Sequence, residues 1–239
     1  MTEWTAEASP RLKARIAGGL YLIGVANLFS GAVLGTLVVN GNAAATTNNI
    51  LAHETLYRLA FVADLIPTVP CYIAVIALFY NLFKPVNRSL SLIAVFFGLA
   101  GSTLWALKDF FFLAPLVVLG DTHPVTGVMQ TLVLAFLNVH AQGSNIVMVA
   151  FGCHVILIGY LIFRSTFLPR ILGVRLAIAG VCYLINSFAN FLSPEFAAHL
   201  SPYILIPGVV EIVLALWLFV MGVNAQRWKE QASAAEERQ

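Results

Sequence analysis

Ionisable side chains stand inside long apolar runs, chief among them Asp64, Lys108, Asp109, His140 and Glu211. A charge at the centre of a membrane helix costs about 2.5 to 3.5 kcal/mol on insertion scales, so each needs a partner, a cavity or water. Asn145 and Asn186 add hydrogen-bonding capacity in similar runs, and Arg58 precedes Asp64 by less than two helical turns. Such a set suits three kinds of work. It could bind or pass a small polar solute or ion, it could hold an acid and a base, with His140 and Glu211 in those roles, or it could lock helices together with no ligand.

Narrower chemistries fare worse. His140 and His154 share one helical face about 21 Å apart, the stacking used by helices that carry two b-type haems, yet no other span supplies a second axial His. His53, Glu54, Asp121, His123, Glu195, His199 and His140 group toward one side in a metal-compatible set, but no two His have the spacing of a preformed site. There is no phosphate-binding Gly-rich loop, nucleophile elbow or His-Glu-x-x-His motif. Cys71, Cys153 and Cys182 lie in apolar runs and read as small buried hydrophobes. No cofactor is expected.

The elements that must position these residues are membrane helices. Of the 239 residues 60% are hydrophobic and 10% charged, with 13 basic and 11 acidic side chains, a net charge of +2 and mean hydropathy of +0.88. A soluble domain usually carries about 25% charged residues. Disorder fails on the same figures, and a nucleic-acid binder would need a basic face that this charge does not supply. Six stretches are long enough to cross about 30 Å of hydrocarbon: 16–39, 56–83, 90–119, 132–163, 171–192 and 203–224. The expected fold is an all-α polytopic helix bundle with six transmembrane helices.

Lys and Arg fall on alternate connections. Arg11, Lys13 and Arg15 precede the first span, Lys84 and Arg88 follow the second, Arg164 and Arg170 follow the fourth, and Arg227, Lys229 and Arg238 follow the sixth. The connections 40–55, 120–131 and 193–202 contain neither residue. The positive-inside rule then makes both termini cytoplasmic in a bacterial inner membrane. The chain divides into a cytoplasmic segment 1–15, a six-helix domain 16–226 and a tail 227–239 read as a solvated helical extension or a frayed end. The first apolar run is too long for a cleavable signal, even with Ala43 to Ala45 after it.

Counting inward from the basic anchors at 1.5 Å per residue puts Asp64 and Lys108 about 30 Å up, His140 about 36 Å, Asn145 about 28 Å, and Asn186 and Glu211 about 24 Å. One outer polar layer is expected, forming an outward-facing pocket or only marking the water interface. The inner half holds little beyond Asn27 and His154. Pro207 with Gly208 should kink or open the sixth span four residues before Glu211, and Pro67, Pro70 and Pro115 should disturb helices near Asp64 and Asp109. Gly31-Ala32-Val33-Leu34-Gly35 fits a close helix contact. Trp105, Trp217, Tyr203 and Trp228 read as interfacial anchors. Two echoed words, Arg15-Ile16-Ala17-Gly18 with Arg170-Ile171-Leu172-Gly173 and Leu65-Ile66-Pro67 with Leu205-Ile206-Pro207, suggest duplicated hairpins.

The stretches 15–23, 57–65, 84–88, 138–140, 163–173 and 216–224, with Phe163-Arg164-Ser165-Thr166-Phe167-Leu168-Pro169-Arg170 the most distinctive, resemble a bacterial multi-spanning family known as domain of unknown function 4386. The resemblance covers nearly the whole length. It implies a polytopic fold, puts Arg58, Asp64, His140 and Glu211 on recognisable positions, and implies no activity. Where that family tends to read Asp-x-His this chain has Asn138-Val139-His140, and Asn186 stands where an Asp is frequent. Two carboxylates fewer count against a proton relay or a metal.

Overall fold

The computed structural model describes residues 9–120, 124–200, 203 and 205–237; Asp121, His123 and Arg238, invoked above, lie outside them. Every described element is a helix: α1 (Pro10–Ile23), α2 (Ala26–Leu37), α3 (Ala43–Ala52), α4 (Glu54–Ile66), a π-helical turn (Pro67–Cys71), α5 (Tyr72–Phe83), α6 (Arg88–Leu119), α7 (Gly127–Arg164), α8 (Arg170–Leu192), α9 (Pro194–Leu200), α10 (Leu205–Val220) and α11 (Ala225–Glu236). Five spans are long and apolar enough to cross a membrane, Pro10–Leu37, Glu54–Phe83, Arg88–Leu119, Gly127–Arg164 and Arg170–Leu192, and a sixth if the bent pair α10 and α11 counts as one. Side-chain caps start most of them. Ser9 Oγ accepts from Leu12 N–H with Pro10 in the first turn, and Asn87, Thr126 and Asn224 cap α6, α7 and α11 in the same way.

Two spans are irregular where the sequence punctuates them. The first breaks at Gly24–Val25, where short-range bonds (Gly24 N–H to Tyr21 O, Val25 N–H to Leu22 O) replace the α pattern. The second widens at Pro67–Cys71, since neither Pro67 nor Pro70 can donate, and Tyr72 N–H bonds back to Pro67 O. By contrast Pro207 lies in the first turn of α10, where its missing N–H costs nothing, so the expected kink before Glu211 is absent. The Pro-containing echoes therefore sit in different local structures, a mid-span π turn and a helix start, and the duplicated-hairpin reading fails at that point.

The sixth span ends earlier than expected. Gly222 turns the chain at φ +68°, a left-handed position that favours glycine, and α11 departs at 98° to α10. The tail is neither frayed nor a straight extension. Trp228 Nε1 donates to Leu82 O at 2.8 Å, Gln231 Oε1 accepts from Thr166 N and Oγ1 at 3.0 Å each, and Asn224 N donates to Phe167 O at 3.2 Å.

Close helix approach depends on small residues. A Cβ added at Gly159 would stand 2.6 Å from Ala177 N and 2.7 Å from Gly173 O, and one at Gly180 would stand 2.7 Å from Gly152 O. Gly152 with Gly159 on α7, and Gly173 with Gly180 on α8, thus form a seam at seven-residue spacing. Gly18 fills the same role between α1 and α10, where a Cβ would meet Ala215 O at 2.6 Å. Gly31 and Gly35 meet nothing within 4 Å, so the contact expected there is not made within the chain.

Two apolar cores result. One gathers Ala17, Phe79, Leu82, Phe83, Leu161 and Leu218 toward the basic end, and the other gathers Ile50, Tyr57, Phe112, Val133 and Leu137 toward the opposite end. Gly159→Leu forces backbone against backbone and is expected to lower stability by about 3 kcal/mol or more. Gly31→Leu and Gly35→Leu should change it little. Melting of the purified variants in detergent checks both statements.

Candidate functional site

Five of the residues singled out from sequence fall into two sites at different heights. On the second span Tyr57 and Asp64 of α4 are followed by Pro67 of the π turn; on α6 come Phe112, Lys108 and Trp105, and on α7 Leu137, His140 and Phe151. Each helix therefore passes from the second apolar core through a charged cluster to an aromatic cavity.

The charged cluster is closed. Lys108 Nζ lies 3.1 Å from Asp64 Oδ2 and 3.2 Å from Asp109 Oδ1, so the lysine pairs with its sequence neighbour as well as across helices. All three side chains are buried, as is His140. Lys108 Nζ also approaches His140 Nε2 at 3.3 Å, and His140 Nδ1 faces Lys108 O at 3.3 Å. With the ammonium donating to Nε2, the ring proton belongs on Nδ1, donating to that carbonyl. Trp105 Nε1 completes the set by donating to Asp64 Oδ2 at 3.1 Å. Among the described residues, Asp64, Asp109 and His140 are the group that could hold a metal, with ligand atoms within 4.8 Å of one another. The Lys108 ammonium stands among them and supplies the positive charge that a cation would bring.

Glu211 belongs to the second site. About nine residues separate it from Val220, the end of α10, so it stands about 14 Å up rather than 24 Å. Counting from Arg227 overstated the height, because α11 turns away at 98°. Its carboxylate accepts from two tyrosines, Tyr183 to Oε1 at 2.5 Å and Tyr21 to Oε2. Tyr72 packs edge-on against Tyr21, with centroids 5.6 Å apart. These residues line a cavity of about 430 Å³ with Asn27, Trp105 and Phe151. Asn27 Oδ1 is buried and has no hydrogen-bond partner among the described residues. The irregular backbone of both broken spans lines the same space, through Gly24, Val25, Pro67 and Thr68. At the break the first span changes partners: α1 packs on α10, whereas α2 packs on α4. The exposed part of the lining is apolar, comprising Val25, Leu28, Leu205 and Val209.

Three expected members stand elsewhere. Arg58 is exposed and pairs with Glu54 at 2.7 Å instead of Asp64. Asn145 is half-buried and donates to Gln142 Oε1, and the Asn186 carbonyl accepts from Asn190; neither asparagine lines the cavity. His140 and Glu211 have different partners and do not share the cavity, so the acid–base pair is not assembled. Trp105 is an internal partition between cluster and cavity and no interfacial anchor. The tyrosines were missed, although a phenol in mid-span must find a partner and this was the available signal.

Lys108→Met leaves two buried carboxylates without their cation and should cost about 3 to 5 kcal/mol. Adding Asp64→Asn and Asp109→Asn to it should restore a large part of that loss. Arg58→Ala should cost no more than about 0.5 kcal/mol, the pair being exposed. Thermal unfolding of these variants side by side is the check.

Comparisons with known proteins give a family and no activity. An uncharacterized protein of Archaeoglobus fulgidus is 23% identical over 143 residues, covering 60% of this chain and 72% of the relative. No solved structure matches. The model of the family described as "Domain of unknown function (DUF4386)" matches residues 16–222, both sites included, and the chain belongs to that family.

Proposed function

We propose that this chain is a multi-pass protein of the bacterial cytoplasmic (inner) membrane, with both termini cytoplasmic, that binds or passes a small polar solute or ion in the cavity around Glu211. The observation that carries the reading is the convergence of the Glu211 carboxylate, the Tyr21, Tyr72 and Tyr183 side chains and the unpartnered Asn27 Oδ1 on one space beside two interrupted helices. Interrupted spans beside a membrane-embedded carboxylate are a recurring way of holding a solute, because freed backbone groups join the side chains as ligands. The lipid bilayer is the proposed surrounding partner, and the bundle's exterior suits it, with Phe96, Phe110, Val117 and Ile178 all exposed. The basic connections support the orientation.

The cluster around Lys108 supports a second role in the same molecule. Its ion pairs tie α4 to α6, with His140 adding α7. That is the scaffold reading, confined to this layer. The enzyme reading lacks its acid–base pair.

A green fluorescent protein fused after Gln239 should be bright and an alkaline phosphatase fusion at the same point inactive; the reverse would reject the orientation. For the site, the purified chain should be stabilised against heat by at least one member of a panel of monovalent ions, amines, amino acids and sugars. Glu211→Gln should remove that response. A panel without effect on wild type, or equal effects on both proteins, would remove the solute reading.

A further inference from the structure

The lining of the Glu211 cavity also narrows the class of ligand, an inference that rests on reading the cavity as a solute site. We propose that it takes an organic monocation with an apolar body, such as a substituted ammonium, reached through an apolar rim.

Charge is the first argument. Glu211 is the one ionisable acid lining the cavity, and none of the described lining residues is Lys, Arg or His. Lys108 stands 4.5 Å from the Trp105 ring centroid but is engaged by Asp64 and Asp109 and does not reach the lining. An anion would meet a carboxylate with no counter-charge, and a zwitterion would bury a second charge unpaired. A monocation supplies the charge that the site lacks.

The rings give the second argument. Tyr21, Tyr72, Trp105, Phe151 and Tyr183 surround the same space. Tyr72 sits edge-on to Phe151 at 5.0 Å and to Tyr21 at 5.6 Å, and Trp105 is inclined at 64° to Phe151. Aromatic faces attract a cation that has shed its water, and substituted ammonium groups are the ligands most suited to such walls. A sugar fits worse, because Tyr21 and Tyr183 already spend their hydroxyl donors on Glu211.

Access supplies the third. Val25, Leu28, Leu205 and Val209 form the exposed part of the lining, and α10, 16 residues long, leaves Leu205 only about 24 Å from its far end. A hydrated inorganic ion would have to lose its water against these side chains, whereas a cation carrying its own apolar surface gains by the contact. The volume of about 430 Å³ admits an aromatic ring together with a substituted nitrogen.

Benzyltrimethylammonium is the test probe, measured by equilibrium dialysis against the full chain in detergent and corrected for protein-free micelles. Wild type should bind it saturably. Glu211→Gln should bind about tenfold more weakly, and neither the uncharged isostere neopentylbenzene nor benzenesulfonate should compete. Gly208→Phe provides a variant that keeps Glu211: Gly208 lines the cavity and a Cβ there meets nothing within 4 Å, so the position has room to begin a larger side chain that competes for the space. It should abolish binding while melting as wild type does, and retained binding in it would overturn the proposal even if Glu211→Gln fails to fold. Failure of the cation beside binding of a sugar or amino acid that Gly208→Phe blocks would overturn the ligand class and leave the solute site standing. Absence of any binding that depends on Glu211 or Gly208 would overturn both.

Discussion

A carboxylate surrounded by hydrocarbon has to be satisfied by the protein, because no water competes for it. Glu211 meets this demand through hydroxyls on two other helices, Tyr21 from α1 and Tyr183 from α8. Three spans far apart in sequence are thereby fixed at one height. The same rule governs Lys108, whose ammonium is shared by Asp64, Asp109 and His140. The two solutions differ. The Lys108 cluster is held by ion pairs, with the Asp109 oxygens making no hydrogen bond among the described residues, whereas the Glu211 cluster stands against a void into which Asn27 Oδ1 brings a further buried oxygen without such a partner.

The void has a mechanical origin. A straight first span would have remained against α10 throughout, but the break at Gly24–Val25 hands it from α10 to α4. The π turn at Pro67–Cys71 widens the second span at the facing level. Glycine seams hold α7 to α8 and α1 to α10 at backbone distance, so the frame around the opening stays closed while the centre does not. Packing density is traded for access at this height, between the two apolar cores.

Much of this was legible in the chain itself. Hydropathy gave the spans to within a few residues, and caps such as Asn87 and Thr126 mark their starts. The buried cluster was foreseeable because charges in apolar runs have few alternatives, and Lys108 pairs with Asp64 as depth alone suggested. What depth could not supply was azimuth. Asn145 and Asn186 share a height range with the sites yet point elsewhere, whereas the exposed pair of Arg58 with Glu54 follows from their four-residue spacing alone. Glu211 was misplaced for a different reason: the helix was assumed to run straight to Arg227, and a single left-handed residue, Gly222, ends it sooner. The tyrosine cage escaped notice because phenols in mid-span look like ordinary bulk until their hydroxyls are counted.

Tyr21 and Glu211 are 190 positions apart, and the helices that carry them are direct neighbours. During synthesis α1 precedes α10, so the earlier helix is made well before its partner. Until α10 follows it, the Tyr21 hydroxyl lacks its carboxylate acceptor and Gly18 lacks the backbone it packs against, and α11 is later fastened by Trp228 to the Leu82 carbonyl.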